Sequence, residues 1–346
     1  MKAITVFKPY DARMTVVPDP IPKDNEVVIK VKETGVCATD IGIYTGKSSF
    51  VESGEITYPV RFGHEFSGVV TAVGKAVKNF KVGDRVYTDN GVACGICEYC
   101  LRGDYENCPN VKSVGTVNCW DGCYAEFMLM PEYHVYKLPD GVSYSEGALI
   151  EPLSIALDAF RNYTVKPTDT VVVIGTGATG MGAIWIAKYS GAKEVIMVGR
   201  TDSKLAVAKK LGATKIINSR ERDAVKAVKD LTNGAGAELV IETSGSKPAL
   251  LSAIDMLRRD GRLSIVSFYE SNVDNVPIDK IALGRMSLVG AAGRFGNPQK
   301  VAEMMDKNPV KLTPVITHRV KFENAVKVFE NIADYKDKIK IMIDFD

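Results

Sequence analysis

TVVVIGTGATGMGAIWIAKYSGAKEVIMVGR, residues 170–200, decides the fold of this chain of 346 residues. An apolar, β-branched run ends at Gly175, and Gly175-Thr176-Gly177-Ala178-Thr179-Gly180 carries the G-x-G-x-x-G spacing. A helical segment follows, closes at Gly191, and EVIMVG begins a second strand of the buried type. The glycine pattern alone is a weak signal. Set between a strand and a helix in a βαβ unit, it is the fingerprint of a dinucleotide site. Gly175 permits the tight turn, Gly177 lets the backbone approach a pyrophosphate, and Gly180 lets helix and strand pack closely. The helix N-terminus adds free amides and the positive end of its dipole. Thr176 and Met181 inside the motif, and Thr243 at the end of a later strand, join the glycines as candidate cofactor-binding residues.

Outward from this unit the alternation continues. TDSKLAVAKKLGA, RDAVKAVKDLTNG and KPALLSAIDMLRRDG read as helices, and KIIN, ELVIETS, RLSIVSF and MSLVGAA as strands. Six strands alternating with helices predict an α/β Rossmann fold, a doubly wound parallel sheet over residues 152–289. The first 151 residues have a different texture. EVVIKVKETGV, FSGVVTAVG and DRVYT alternate or run apolar between Gly, Asp and Asn, as antiparallel strands do. VITHRVKFENAVKVFENI and KIKIMIDFD are expected to return to that first domain. It is thus discontinuous, spanning residues 1–151 and 290–346.

The end of EVIMVGR is unusual. An NAD-binding unit carries an acid about 20 residues beyond its glycines, where it accepts from the adenosine ribose 2′-OH. Here that place is Gly199, followed by Arg200, with Ser203 and Lys204 close behind. Loss of the acid removes repulsion toward a 2′-phosphate, and a guanidinium supplies charge-assisted, bidentate donors to it. An arginine merely solvated at a helix start would oppose the helix dipole. The expected cofactor is NADP(H) in preference to NAD(H).

A net charge of +2 without a basic block gives no electrostatic support to nucleic acid or membrane binding. No apolar run reaches 18 residues, and MKAITVFKPYDARM lacks a signal-peptide core, so neither a membrane span nor secretion is expected. Seven cysteines, an odd number without a secretion signal, point to metal or catalytic use and to the cytoplasm. Four of them form Cys94-x2-Cys97-x2-Cys100-x7-Cys108 in a lobe of about residues 90–110. Two interlocking C-x-x-C turns aim three thiolates at one point, and the fourth returns to them. Four thiolates close a tetrahedron around Zn²⁺ with no open position, which defines a structural site.

A second candidate site is dispersed. Cys37 begins CATD, His64-Glu65 follow Gly63 in RFGHEFSG, and Glu151 begins EPLSIALDAF. Singly, these are a buried thiol, a core histidine and a helix-start acid. Beside a zinc lobe and a nucleotide fold, they become candidate metal ligands.

With GVCATD, GHEFSGVV, KVGDRV, the cysteine lobe, KLPDGVSYSEGALIEPLS, VIGTGATGMG and VITHRVKFENAVKVFE in this order, the whole chain resembles the zinc-dependent medium-chain dehydrogenases. Within them it resembles the sorbitol (polyol) dehydrogenase branch. The resemblance implies a β-rich GroES-like catalytic domain closing over the Rossmann domain, with one catalytic and one structural zinc per chain. It implies hydride transfer between NADP(H) and a secondary alcohol of a polyol or sugar alcohol, or a ketose in reverse, in a homodimer or homotetramer. Alternatives are an alcohol, amino-alcohol or sugar-acid dehydrogenase on the same scaffold, or a catalytically silent NADPH-binding protein.

Carried onto this chain, the resemblance makes Cys37 and His64 catalytic zinc ligands. A carboxylate, Glu65 or Glu151, completes the set in place of a second cysteine. Asp40 would orient His64, Thr39 would take the substrate proton, and Tyr44 and Arg294 would meet substrate hydroxyls. The chain also departs from its relatives. Many hold a histidine five residues after the first zinc cysteine, where this chain has Gly42. Proton exit is therefore expected through water and Glu65 or Glu151. The remaining histidines, His134 and His318, read as structural.

Overall fold

The computed structural model describes residues 1–293 and 295–345. Its contacts form two units. One comprises Met1–Glu151, Arg294–Lys307 and Ile316–Asp346, the other Pro152–Gly293 and Asn308–Val315.

In the second unit the glycine motif lies between β1 (Thr170–Ile174) and α1 (Ala178–Tyr189). There follow β2 (Glu194–Gly199), α2 (Asp202–Lys210), β3 (Lys215–Asn218), α3 (Ala224–Leu231), β4 (Ala237–Glu242) and α4 (Lys247–Met256). β5 (Leu257–Ile265), α5 (Ile278–Gly284) and β6 (Ser287–Gly290) complete the series. The strand order is β3-β2-β1-β4-β5-β6 and every pairing is parallel. This is the Rossmann arrangement, whose sequence reverses direction beside β1. Strands buried on both faces need continuous apolar runs, which is why β1 and β2 read as TVVVI and EVIMVG. Val172, Ile174, Ile196, Val198 and Val240 meet Val228 of α3 and Leu250 and Ile254 of α4 in one core.

The helix expected through LRRDG ends earlier, at Met256. Leu257 is buried and pairs with Ala237, while Asp260 turns with φ 60° before Gly261. Burial of a single leucine in the sheet overrides the helix propensity of the arginines beside it.

The first unit is built on a seven-stranded sheet. Its path runs Val135–Lys137, Arg85–Thr88, Glu65–Val73, Glu26–Gly35, Lys340–Asp344, Ile316–Lys321, with Phe127–Pro131 also paired to Glu26–Gly35. All pairings are antiparallel except that of Lys340–Asp344 with Ile316–Lys321. A three-stranded sheet, Asp11–Val16, Lys2–Lys8 and Val60–Arg61, encloses an aromatic core in which Phe62, Tyr124 and Phe329 meet at 4.8–5.3 Å. The register places Gly35 opposite Glu65 on one side and opposite Met342 on the other. One end of the sheet therefore gathers Glu65, Gly35 and the start of the Lys340 strand. Among the described residues, no helix is long and apolar enough to cross a membrane.

Candidate metal centre and nucleotide site

Cys37 stands at the N-terminus of the helix Ala38–Thr45, and the Asp40 carboxylate accepts its amide at 2.8 Å. This reciprocal capping fixes a thiol and an acid three residues apart. His64 is delivered by Gly63, whose φ of 94° suits glycine and where a Cβ would lie 2.8 Å from the Tyr124 ring. Cys37, His64 and Glu65 each bring one donor atom within 4.8 Å of the others. His64 and Glu65 are 4% and 1% exposed, while Cys37 is half-buried.

Asp40 Oδ2 also accepts the Tyr124 hydroxyl at 2.6 Å. Asp40 Oδ1 faces His64 Nδ1 at 3.5 Å, and neither atom has a hydrogen-bond partner. Unpaired buried polar atoms are costly, so they mark a centre whose donor set is arranged for a ligand. Burial acts to lower the His64 pKa, but Asp40 and Cys37 outweigh it and hold it well raised. A thiol, an imidazole and a carboxyl suit zinc with an open coordination position, and a carboxylate behind the imidazole fixes its tautomer. The residues fit the metal.

Lys340 went unnoticed in the sequence and stands at the centre of the site. Its Nζ donates to Glu65 Oε1 at 2.7 Å, to Glu65 Oε2 at 2.5 Å and to the Val36 carbonyl at 3.1 Å. All three ammonium hydrogens are thereby used. Burial acts to lower the Lys340 pKa, but Glu65, with Cys37 and Asp40 behind it, raises it overall. Gly35 is required beside this pair, since a Cβ there would collide with the Glu65 carboxylate. The sequence held a faint signal, because strand alternation puts Lys340 on the same face as the buried Met342.

Glu151 lies outside the tight donor group. It is 5% exposed, and burial pushes its carboxyl up to about 8, with Glu65 and Asp89 adding to the rise against His64 and Lys340. Thr39 Oγ1 is 3.7 Å from the Cys37 sulfur. Gly42 packs against Ser48, where a Cβ would lie 3.3 Å from the serine Cβ, so any side chain there needs Ser48 to give by a few tenths of an ångström. Tyr44 is 5% exposed and packs in the core against Tyr10 and Phe329, at 5.6 and 6.0 Å. Arg294 lies outside the described residues. His134 is fully buried, and His318 sits within the strand Ile316–Lys321.

The donor atoms of Cys94, Cys97, Cys100 and Cys108 also lie within 4.8 Å of one another, and all seven cysteines are free. Amides of Ile96 and Cys97 point at the Cys94 sulfur and lower its pKa to about 6, the hydrogen-bonding of a metal-binding C-x-x-C turn. This cluster suits a structural zinc.

In the second unit Gly175 has φ 112°, and a Cβ there would lie 2.5 Å from Thr243 Oγ1. The Thr243 hydroxyl donates to the carbonyls of Ile174 and Gly175, at 2.9 and 3.3 Å, tying the end of β4 to the turn. Gly180 stands against the Gly175 carbonyl, whereas nothing lies within 4 Å of a Cβ on Gly177. The open glycine is the one assigned to the pyrophosphate. The Met181 side chain is fully buried and its amide donates to the Gly177 carbonyl. Arg200 is exposed beyond β2, and Ser203 and Lys204 lie in the first turn of α2. β2 and β3 pair Gly199 with Asn218, and the Ser219 amide donates to the Gly199 carbonyl, so the exposed Arg220 leaves β3 at the end of the sheet from which Arg200 leaves β2. Arg220 was missed because it follows a different strand.

Gly199 has a steric reason as well. A Cβ there would collide with the Thr176 side chain. Gly199→Asp alone is expected to weaken both nucleotides, since forced overpacking costs about 1–3 kcal/mol. Adding Thr176→Ala should restore NAD(H) binding in fluorescence titrations. A clean switch to NAD(H) by the single change would show that Thr176 is no obstacle.

Comparison with known proteins agrees with this architecture. Residues 23–140 match the family model of the alcohol dehydrogenase GroES-like domain, and residues 178–308 that of the zinc-binding dehydrogenase. Sorbitol dehydrogenase of Bacillus subtilis (strain 168) is 33% identical over 344 residues, covering 99% of this chain and 97% of that one. L-threonine 3-dehydrogenase of the same organism is 34% identical, covering 93% and 92%. A zinc-binding dehydrogenase of Sinorhizobium meliloti 1021 bound to NADP superposes with a TM-score of 0.90 at 25% identity, covering 99% of this chain and 98% of that one. The chain belongs to the zinc-dependent medium-chain dehydrogenases, in their sorbitol (polyol) dehydrogenase branch. Its activity is accordingly that of an alcohol or polyol dehydrogenase.

Proposed function

We propose that this enzyme oxidises a secondary alcohol of a polyol or sugar alcohol with NADP⁺, and reduces the corresponding ketose with NADPH. The observation that carries the reading is the Cys37–His64–Glu65 donor group, one thiol, one imidazole and one carboxylate gathered at a single point. Zinc at this group supplies a Lewis acid that lowers the pKa of the substrate hydroxyl. Oxygen-rich donors suit a harder, more hydrated centre and a hydroxyl-rich substrate. Asp40 orients His64, and the Tyr124 hydroxyl and Cys37 amide hold Asp40 in turn. Thr39 Oγ1 takes the proton from the substrate hydroxyl. Glu151, buried near the group and with its carboxyl pushed up by burial, passes that proton toward solvent in place of the histidine missing at Gly42. Arg294 meets substrate hydroxyls, and Arg200 pairs with the 2′-phosphate.

L-threonine 3-dehydrogenase among the relatives supports a second reading, an amino-alcohol substrate. Parallel assays of polyols, ketoses and L-threonine with NADP(H) and NAD(H) separate the two. The polyol reading expects the highest kcat/KM for a polyol with NADP⁺. Turnover of L-threonine alone would replace it, and no turnover with a full complement of zinc would favour a binding protein.

A further inference from the structure

Glu242 closes β4 and is fully buried, at the end of the apolar run Leu239–Ile241. The sheet pairs it with Ile174, the last residue before the glycine motif, on one side and with Ile265, the last residue of β5, on the other. Five neutral donors converge on its carboxylate. Oε1 accepts the Ser244 amide at 2.8 Å and the Ser244 hydroxyl. Oε2 accepts the Gly245 amide at 3.2 Å, the Ser267 hydroxyl at 3.2 Å and the Tyr269 hydroxyl at 2.5 Å. One oxygen thus binds the turn after β4, and the other ties that turn to the segment after β5.

A carboxylate taken out of water without a cation is costly, and packing alone would be served by an apolar residue. The cost falls at a particular place. β1 and β4 are neighbours where the strand order reverses, and dinucleotides lie across that point, outside the carboxyl ends of the strands. The adenosine half takes the β1-β2-β3 side, where Gly199 and Arg200 stand, which leaves the nicotinamide half to the ends of β4 and β5. Glu242 organises those two ends. The Thr243 hydroxyl already joins the first of them to the Gly175 carbonyl. Gly245 has φ 64°, and a Cβ there would lie 2.5 Å from the Phe268 carbonyl, so the two segments meet backbone to backbone.

We infer that Glu242 is the positioning residue for the nicotinamide half of the cofactor, holding residues 243–245 and 267–269 together as one wall of its subsite. Being fully buried, it acts through these two segments and not by contact with the ring. The inference needs the dinucleotide fold, and not the choice between NADP(H) and NAD(H). Hydride transfer requires close placement of the reacting ring, and a displacement of about 1 Å can cost about 100-fold.

The test titrates Glu242→Gln, Ser267→Ala and Tyr269→Phe with whichever reduced nucleotide the native enzyme binds more tightly. Each is also titrated with the matching ADP-ribose (2′-phosphorylated for NADPH), which lacks the nicotinamide. Glu242→Gln keeps the shape but sets an NH2 group against other donors whichever way it turns. It is expected to weaken the dinucleotide about tenfold and the ADP-ribose by less than about twofold. Ser267→Ala and Tyr269→Phe each remove one donor and should shift the same ratio about threefold. Because the Tyr269 hydroxyl acts through Glu242, Glu242→Gln/Tyr269→Phe should lose less than the sum of the two single changes. The primary deuterium isotope effect on kcat should rise in Glu242→Gln as hydride transfer becomes the slow step. Equal weakening of both ligands would assign Glu242 to the folding of the turn and overturn the inference. An unchanged ratio in every folded variant would overturn it too. If Glu242→Gln does not fold, the ratio in Ser267→Ala and Tyr269→Phe decides.

Discussion

Arg200→Ala is expected to weaken NADP(H) by about 30–100-fold, about 2–3 kcal/mol of charge-assisted hydrogen bonding, and NAD(H) by less than about twofold. The asymmetry follows from where the side chain sits. Arg200 directly follows the end of β2 and lies exposed rather than packed. Its removal should therefore leave the unit's stability almost unchanged. Because the pairing is solvent-facing, the preference should also shrink as ionic strength rises and the charges are screened. Arg220→Ala should act in the same direction, and Arg200→Ala/Arg220→Ala should lose more than either alone. Isothermal titration with both nucleotides checks this. Equal losses for NADP(H) and NAD(H) would mean that Arg200 supports the turn and does not read the phosphate.

Lys340→Met is expected to destabilise the metal-free enzyme by about 3–5 kcal/mol, the usual cost of removing one partner from a buried ion pair. Glu65 is 1% exposed and would be left with an uncompensated charge. Glu65→Met/Lys340→Met, which removes both charges, should recover most of that loss in urea titrations, as apolar replacement of buried pairs commonly does. Lys340→Met should cost the zinc-loaded enzyme less than the metal-free enzyme, because a cation at the Cys37–His64–Glu65 group would supply part of the counter-charge that the lysine no longer gives Glu65. The pH dependence has a definite sign. The Lys340 pKa is raised in the fold, so its stabilising contribution is complete below the unfolded lysine pKa, about 10.4. It is lost as pH climbs through the raised value. Unchanged stability of Lys340→Met at neutral pH would show that the pair is not what holds Glu65.

The parts of this molecule that were legible in sequence are those written in local spacing or in unbroken apolar runs. TVVVI and EVIMVG declare a buried parallel sheet because strands covered on both faces have no polar side to alternate. The cysteine lobe is legible because its four donors fall within fifteen residues. The Cys37–His64–Glu65 group needed motif resemblance, since nothing local shows that CATD and GHEF converge. What stayed hidden depends on pairing across the chain. Lys340 reaches Glu65 only because the strand Lys340–Asp344 settles beside Glu26–Gly35, and Phe295 meets His134 across more than a hundred residues. The need for Gly199 was half-read: the missing acid was visible, but the contact with Thr176 was not.

The position of the Lys340 strand also sets a timetable for synthesis. The Rossmann sheet is assembled from one uninterrupted stretch and can close while translation continues. The sheet that holds Glu65 cannot, since the edge of Glu33–Gly35 that faces away from Glu65–Ser67 is filled only by Met342–Asp344. At about 5–20 residues per second, the roughly 300 residues between them take roughly 15–60 s to emerge from the ribosome. Through that interval the nascent chain carries an unfilled strand edge and a Glu65 without its counter-charge, within the candidate metal group. An early-folding nucleotide unit therefore waits, tethered on both sides, for the last strand to make the catalytic unit whole.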